Sequence, residues 1–300
     1  MSLSLINKYL LRNTTFKVSK KILPIKQMKP VRLFADKIKN NLRTDIIGSE
    51  IVTLERTAST MDIAKKMLKD GTIEGTAIFV EEQTQGRGRS EKKWFCKSGK
   101  GLLLTVILRP LLQPENSYLL MVITAVAIVQ TIRDMFKLPV EIDWPNDIVI
   151  NNKKLGGIIV ETQDHNEQSR DYIVGIGINV NLKEHELPEH IDQPATSLAI
   201  EKETLIDRTN FAKALLQNLD SWYLILKDER YEYIVEKWQE FCVNIGRRVN
   251  VRNANKEFAG IFQGISNNGE LVLLLDNGHK KKFKVEHTIM NHHLSGSASS

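Results

Sequence analysis

Cysteine and long apolar runs are scarce in this sequence. Only Cys96 and Cys242 occur in its 300 residues, so it has no disulfide framework and no CxxC pair, which favours a reducing compartment. The longest apolar run, residues 118–129, is much shorter than the roughly 20 residues of a bilayer span, so we expect a buried helix and no membrane partner. The seven histidines lack zinc-ligand spacing, and the pair His292-His293 is interpreted as solvated.

Negative charge is nearly absent from the N-terminal segment. Residues 1–44 carry eleven Lys or Arg and the single acid Asp36, which is +10 against +6 for the whole chain, so the other 256 residues are net −4. A basic surface for nucleic acid is therefore not supported, and we expect no DNA partner. Residues 1–45 have the composition of a transit peptide or of a disordered basic leader, which predicts a cytoplasmic or mitochondrial protein.

Hydrophobic spacing predicts an α+β unit over residues 46–245, with a mixed or antiparallel sheet and flanking helices. The predicted helices are a first one capped by Ser59 or Thr60 and ended by Gly71, then 118–136, 210–226 and 231–241. The predicted strands are 50–54, 77–80, 102–108, 148–150, 155–161 and 172–180. Short polar loops separate the last three strands, which indicates antiparallel hairpins.

After Gly246 the pattern changes to an alternation of apolar and polar residues. Hairpin-turn sequences, Asn-Asn-Gly and Asp-Asn-Gly, occur at residues 267–269 and 276–278. Short strands with such turns predict a small β-barrel over residues 246–294. Residues 295–300, rich in Ser and Gly, are interpreted as a flexible tail.

Residues 86–89, Gly-Arg-Gly-Arg, are the sharpest local motif. Glycine lets the backbone approach a ligand closely, and arginine offers planar donors to phosphate or carboxylate. The segment is neither a P-loop nor a dinucleotide fingerprint. Alone it is a weak signal, because a surface loop or an RNA-binding fragment has the same composition.

Three further motifs carry candidate polar groups. Trp-Pro-Asn-Asp at residues 144–147 predicts a stiff turn with a carboxylate suited to Mg²⁺ on nucleotide phosphates, or a self-capped proline turn. Lys-Lys-Leu-Gly-Gly at 153–157 puts lysine where paired glycines let a phosphate come close. Gly-Ile-Gly-Ile-Asn at 175–179 adds small residues on one face of a strand. The last two motifs, taken alone, are more often packing than function.

The motifs follow one another along the chain in the order Ser59-Thr60, Gln83, Gly-Arg-Gly-Arg, Trp94 and the three later motifs. This order resembles the biotin protein ligase family, which includes bacterial biotin ligases and eukaryotic holocarboxylase synthetases. The resemblance runs from about residue 51 to residue 294. It implies a class II synthetase-like catalytic domain followed by a small SH3-like C-terminal domain. We expect no DNA-binding N-terminal domain of the repressor type.

The resemblance also implies a role for each matching residue. The biotin-binding residues are expected to be Ser59, Thr60, Gln83, Gly86, Arg87, Lys154, Gly156 and Gly157. The nucleotide-binding residues are expected to be Arg89, Trp94, Asn146, Asp147 and Asn179. Arg89 and Lys154 are the expected catalytic residues, and Asp147 is the expected Mg²⁺ ligand and a candidate general base.

The activity implied by the family is ATP-dependent ligation of biotin to a lysine, through biotinyl-5′-AMP. Biotin and ATP are the implied substrates, Mg²⁺ accompanies ATP, and the implied partners are the biotin carrier domains of carboxylases. The pattern leaves a homodimer open.

Two residues depart from the family pattern. Asp143 stands where the family has a basic residue before Trp-Pro-Asn-Asp, and Met61 stands where it has asparagine. Loss of the cation weakens ATP binding unless Lys153 substitutes for it. The loop after Arg89 also lacks the second glycine that the family commonly has.

Three alternative functions stay open at this point. A lipoate or octanoate transferase shares the implied fold, although the pairing of Gly-Arg-Gly-Arg with Trp-Pro-Asn-Asp argues against it. A nucleic-acid-binding module is disfavoured because the basic charge lies in the leader. A degenerate ligase that only senses biotin is conceivable because of Asp143.

Overall fold

A computed structural model describes residues 31–89, 92–166, 169–188, 193–254, 256–266, 268–284 and 288–291. Residues 1–30, which hold most of the basic leader, lie outside the described residues, as do His292-His293 and the tail at 295–300. The targeting and tail predictions therefore concern segments that the structure does not describe.

A seven-stranded mixed sheet forms the centre of the first unit. Its order is β1-β2-β3-β7-β6-β5-β4. β1 and β2 are parallel, and every other neighbouring pair is antiparallel. The strands are β1 (Ile51–Thr57), β2 (Ala77–Gln83), β3 (Gly101–Leu108), β4 (Val140–Asp143), β5 (Asp147–Ile150), β6 (Lys153–Asn166) and β7 (Ser169–Asn179). The α+β class and the antiparallel hairpins are thus confirmed.

Helices flank this sheet. They are α1 (Ala35–Lys39), α2 (Thr60–Lys69), α3 (Leu119–Phe136), α4 (Leu198–Lys202), α5 (Arg208–Lys227) and α6 (Tyr231–Phe241). Twelve of the eighteen residues of α3 are buried, and the helix packs against β4, β5 and β6 on one side and α5 and α6 on the other. By length and composition alone, α3 is long and apolar enough to cross a membrane, a property that buried core helices share. Its burial and its contacts with the sheet and with α5 and α6 identify α3 as a core helix.

Strand β4 was not predicted from the sequence. It is four residues long and follows Pro139 directly, so it offers too little alternation to recognise. It pairs with β5, with Ile142 opposite Ile148 and Asp143 opposite Asp147. The Trp-Pro-Asn-Asp turn is therefore a β-hairpin loop at the edge of the sheet, and its Trp144–Pro145 peptide bond is cis.

Order begins earlier than the predicted residue 46, because residues 31–45 of the segment interpreted as a leader already pack on the first unit. Leu33 is buried, and its N–H donates to Glu81 Oε1 at 2.7 Å. Arg208 of α5 donates to Glu81 Oε2 at 2.7 Å and to the Val31 carbonyl at 2.9 Å. The signal was missed because α1 has five residues and lies within a segment of leader-like composition.

The C-terminal strands form a five-stranded antiparallel sheet in the order β11-β10-β9-β8-β12. They are β8 (Arg248–Asn253), β9 (Lys256–Ile265), β10 (Leu271–Leu275), β11 (Lys280–Phe283) and β12 (Thr288–Asn291). Alternate residues of β8 are buried, Val249 and Val251, as the period-two pattern predicts. The small antiparallel C-terminal unit is confirmed.

Candidate active site

The N-terminus of α2 meets the end of β2 at one end of the site. Ser59 caps α2 and accepts the Met61 N–H at 3.3 Å. The N–H and the hydroxyl of Thr60 both lie in hydrogen-bond range of Gln83 Oε1, at 2.8 and 3.1 Å, and the Thr105 hydroxyl donates to Thr60 Oγ1 at 2.7 Å. Because these groups are buried or half-buried and mutually bonded, they form a preorganised polar corner.

The loop at residues 86–89 folds back onto Trp94. The Trp94 N–H donates to the Gly86 carbonyl at 2.9 Å, and the Gly88 N–H donates to the Lys92 carbonyl at 2.5 Å. A Cβ on Gly86 would lie 2.5 Å from the Trp94 carbonyl oxygen and 3.2 Å from Gln83 Nε2. Glycine at position 86 is therefore what lets the loop close against the polar corner.

The side chain of Arg87 is occupied by a protein carboxylate. Its two terminal nitrogens donate to Asp62, in the first turn of α2, at 2.9 and 2.7 Å. This hydrogen bond, together with the attraction of the two charges, lowers the pKa of the Asp62 carboxyl and raises the pKa of Arg87. The Arg87 side chain is thus committed to α2.

Arg89 reaches from the same loop to the C-terminal unit. Its Nη2 lies 3.5 Å from the Thr288 carbonyl oxygen of β12, and the side chain is half-buried. The loop is therefore in contact with the C-terminal sheet as well as with α2.

Trp94 packs against glycines of two neighbouring strands. A Cβ on Gly177 would be 2.6 Å from the indole ring, and one on Gly157 would be 3.5 Å from it. Gly156 is packed as tightly, because its Cβ would lie 2.8 Å from the Gly177 carbonyl oxygen. Within the described part of the chain, Trp94 Nε1 is buried without a hydrogen-bond partner, so this donor is available to a ligand acceptor.

Met61 covers Gly175, two residues before Gly177 on β7. A Cβ on Gly175 would lie 2.9 Å from Met61 Sδ, and Met61 is buried. An apolar thioether thus lies beside Ser59-Thr60, where the resemblance predicts an amide.

Lys154 and Asp147 form the charged end of the site. Lys154 Nζ is 2.6 Å from Asp147 Oδ2. The Lys154 backbone is held on both sides, by the Pro194 carbonyl at 2.7 Å and the Thr196 N–H at 2.9 Å. Burial raises the pKa of the Asp147 carboxyl, against the opposing charge of Lys154, and its Oδ1 has no hydrogen-bond partner among the described residues.

Two buried asparagines flank this pair. Asn146 forms two hydrogen bonds to the backbone of Ile158, each at 3.0 Å. Its side-chain amide donates to the Ile158 carbonyl, and its backbone carbonyl accepts the Ile158 N–H. Asn179 donates to the Thr196 carbonyl at 3.0 Å, and its Oδ1 is buried without a partner in the part of the chain described. Asn146 therefore holds the turn in place, whereas Asn179 presents an acceptor.

Lys153, the alternative source of the missing positive charge, lies beside an acidic residue of α4. Lys153 Nζ is 3.9 Å from Glu201 Oε1, and consecutive strand residues point to opposite faces. After burial and Lys154, two further charges act on the pKa of Asp147: Asp143 raises it and Lys92 lowers it. The additional cation whose field reaches Asp147 is thus Lys92, from the loop before Trp94.

Gly157 and Gly177 share one face of β6 and β7, with Trp94, Lys154 and Asp147 beside them, whereas Gly156 faces the other side of the sheet and Arg89 lies against β12. Sequence reasoning missed Thr105, Asp62 and Thr196, which hold predicted residues in place. A lone threonine in the apolar strand at 101–108 was the only visible signal among these three.

Comparison with known proteins gives a consistent result. Residues 53–179 match the biotin/lipoate A/B protein ligase family, and residues 245–285 match the biotin protein ligase C terminal domain. The bifunctional ligase/repressor BirA of Bacillus subtilis is 32% identical over 258 residues, covering 86% of this chain and 79% of that protein. A biotin–[acetyl-CoA-carboxylase] ligase of Mycobacterium tuberculosis is 26% identical over 245 residues, covering 78% and 88%.

Among solved structures, the biotin protein ligase from Aquifex aeolicus in complex with biotin and ATP matches with a TM-score of 0.69 and 25% identity. The match covers 81% of this chain and 99% of that one.

Proposed function

Because this chain belongs to the biotin protein ligase family, we propose that it activates biotin with ATP and transfers it to a lysine of the biotin carrier domains of carboxylases. The observation that carries the proposal is the Lys154–Asp147 pair, 2.6 Å apart, beside the surface of β6 and β7 where Gly157 and Gly177 pack against Trp94. A carboxylate substrate and a nucleotide phosphate both need fixed positive charge at such a junction.

We assign the residues along this surface by their chemistry. Hydroxyl and amide groups suit the neutral ureido ring of biotin, and a backbone at glycine permits close approach. The proposed biotin-binding groups are the side chains of Ser59, Thr60, Gln83 and Lys154 and the backbone of Gly86, Arg87, Gly156 and Gly157. The proposed nucleotide-binding groups are Arg89, Trp94, Asn146, Asp147 and Asn179.

In the proposed first step, a biotin carboxylate oxygen attacks the α-phosphorus of ATP. A new P–O bond forms, the bond to the β-phosphate oxygen breaks, and pyrophosphate leaves, giving biotinyl-5′-AMP. The carboxylate is already a nucleophile, so positioning accounts for much of the catalysis. Lys154 and Arg89 stabilise the charge that develops on the phosphoryl oxygens.

Asp147 fits a role as a Mg²⁺ ligand. Its buried, unpartnered Oδ1 is a hard oxygen donor, and Mg²⁺ in nucleotide sites is commonly held by one or two carboxylates plus phosphate oxygens. The described residues contain no cluster of three or more acidic, His or Cys side chains that could hold a metal by themselves. Mg²⁺ bound with ATP supplies charge neutralisation, while Asp147 keeps Lys154 oriented.

In the proposed second step, a neutral lysine amine of the carrier domain attacks the acyl carbon. A C–N bond forms, the mixed anhydride C–O bond breaks, and AMP leaves. The amine loses a proton, and we propose that Asp147 Oδ1, which has no hydrogen-bond partner among the described residues, accepts it after pyrophosphate and its Mg²⁺ have left. Trp94 and the loop at 86–89 protect the anhydride from water.

Transfer of radiolabelled biotin to a recombinant carrier domain, with ATP and Mg²⁺, tests the proposal. Label on the carrier is expected, and biotin-dependent ATP–pyrophosphate exchange reports the first step alone. Exchange without transfer to any carrier contradicts the second step, and absence of exchange indicates a sensor. Stronger competition by lipoate than by unlabelled biotin points to a lipoate ligase.

A further inference from the structure

The connector at residues 242–247, between α6 and β8, is hydrogen-bonded to both sheets. In the seven-stranded sheet, called the catalytic sheet below, the Ile142 carbonyl of β4 accepts the Val243 N–H at 2.9 Å. On the C-terminal side, the Gly246 N–H donates to the Phe262 carbonyl and the Phe262 N–H donates to the Arg247 carbonyl, each at 2.9 Å. One short segment therefore links the edge of the catalytic sheet to β9.

Asn244, in the middle of this connector, is 1% exposed. Its Oδ1 accepts the Trp144 N–H at 2.9 Å, and its Nδ2 donates to Asp143 Oδ1 at 3.1 Å. The orientation of the amide follows from its partners, because a backbone N–H needs an acceptor and an ionised carboxylate needs a donor. Asparagine meets both needs with one side chain.

Asn244 binds Asp143 and Trp144, which begin the turn at residues 144–147 that carries Asp147. We call residues 144–147 the catalytic turn. Asp143 lies opposite Asp147 in the β4–β5 ladder, so a shift of one moves the other. The Trp144 ring is buried and contacts Phe262 of β9, with centroids 6.5 Å apart. The turn is thus held from the catalytic sheet by Asn146 and from the connector by Asn244.

We propose that Asn244 is a positioning residue for nucleotide activation, which fixes Asp143 and Trp144 so that Asp147 stays beside Lys154. This inference rests on the proposed ligase function and names a part of the C-terminal connector that serves the ATP end of the site. Asn244 does not contact the polar corner formed by Ser59, Thr60 and Gln83, which belongs to α2 and β2. We therefore expect the larger effect on the nucleotide and little change in biotin affinity.

The chemistry of the two side chains provides a swap experiment. Asn244→Asp removes the donor and puts a second carboxylate beside Asp143 in a buried position, which is strongly unfavourable. Adding Asp143→Asn to it exchanges the amide and the carboxylate between the two positions. In the double variant, the carboxylate at 244 accepts from the Trp144 N–H and from the amide at 143, so these two hydrogen bonds and the total charge are restored.

The measurement compares the KM for ATP in biotin-dependent ATP–pyrophosphate exchange with the Kd for biotin from calorimetry. For Asn244→Asp we expect the KM for ATP to rise about tenfold or more, which corresponds to about 1.4 kcal/mol. The biotin Kd is expected to change by less than about twofold, and the swap is expected to bring KM back to within about threefold of wild type. Asn218→Asp is the control, because Asn218 donates to Thr131 within the helical layer, away from the turn.

Each outcome decides between the proposal and a merely structural role. An unchanged KM in Asn244→Asp, an equal loss of biotin and ATP binding, or a swap no better than the single variant overturns the inference. If Asn244→Asp does not fold, Asn244→Ser, which keeps a small polar group, must show the same rise in KM with unchanged biotin Kd. A wild-type protein without biotin-dependent exchange overturns the proposed function, and this inference falls with it. An active wild type with an unaffected Asn244→Asp overturns the inference alone.

Discussion

Lys154 Nζ lies 2.6 Å from Asp147 Oδ2, and the two residues belong to neighbouring antiparallel strands, β6 and β5. The second oxygen of the carboxylate is buried and has no hydrogen-bond partner among the described residues. The pair therefore fixes the direction of the lysine side chain and leaves one hard carboxylate oxygen for a cation that arrives with the nucleotide.

Lys154→Ala is expected to slow adenylate formation about 10²- to 10³-fold while changing the biotin Kd by less than about threefold. The lysine acts on charge that develops in the transition state, and removal of one such donor typically costs this much. Single-turnover kinetics together with biotin calorimetry measure the two quantities. Lys153→Ala is the matched control, because Lys153 faces Glu201 at 3.9 Å and should keep the wild-type rate. A larger loss of biotin affinity than of rate contradicts the assignment.

Gly177→Ala is expected to displace the Trp94 ring, because the new Cβ would lie within 2.9 Å of three ring atoms. Loss of this cover should raise the biotin Kd and the KM for ATP by about tenfold or more and shift Trp94 emission to the red. Gly175→Ala is the comparison, since its Cβ meets the flexible Met61 thioether, which adapts more easily. Trp94 emission should stay unchanged there. A red shift in both variants would mean that the whole strand moves.

Arg89→Gly is expected to shorten the retention of the enzyme-bound adenylate by at least about tenfold. In the proposed mechanism this guanidinium holds the phosphate of the adenylate, and its side chain is half-buried, near the Thr288 carbonyl. Rapid gel filtration of enzyme loaded with labelled biotin and ATP measures the retention, and thermal unfolding should change little. Retention as long as in the wild type removes Arg89 from the site.

Asp62→Asn is expected to lower stability by only about 0.5 to 1 kcal/mol, because the Asp62–Arg87 pair is roughly two-fifths exposed and screened. The loop at 86–89 loses its attachment to α2, so trypsin should cleave at its arginines faster than in the wild type.

The pH dependence of this pair has a definite sign. The pKa of Asp62 is lowered in the folded state, so its contribution is present above the unfolded value of about 3.9 and disappears as the pH falls through the lower folded pKa. The free energies of unfolding of wild type and Asp62→Asn should therefore differ by the same amount at about pH 6 and about pH 8. They should converge only in acid, below the unfolded pKa of Asp62. A difference that vanishes near neutrality contradicts this account.

Leu33→Ala is expected to reduce the free energy of unfolding by about 2 to 4 kcal/mol, because the side chain is 2% exposed in the main core. Val31→Ala is the control, since that side chain is 58% exposed and the Val31 carbonyl keeps its bond to Arg208. Chemical denaturation measures both. An equal, small effect of the two changes would show that residues 31–40 add little to the fold.

Elements with strong local signals were predicted closely from the sequence. The helix predicted at 231–241 matches α6, and the helix begun at Ser59-Thr60 and ended by Gly71 matches α2 with its Ser59 cap. Weak local signals failed. The segment at 31–45 packs on partners more than forty residues away, such as Glu81 for Leu33. Strand β4 forms a short hairpin with β5 and is also held by the distant residues Val243 and Asn244.

The order of the polar motifs along the chain was sufficient to name the chemistry and the family, because residue types and their spacing are properties of the sequence. Only the tertiary structure decided how the charged side chains are used. In the folded chain Arg87 is hydrogen-bonded to Asp62, Lys153 lies near Glu201, and Lys154 pairs with Asp147. Lys92 acts on the charge of Asp147, and Asn244 is hydrogen-bonded to Trp144. A side chain's direction depends on strand register and on the partners that folding brings near, and neither is written in local spacing.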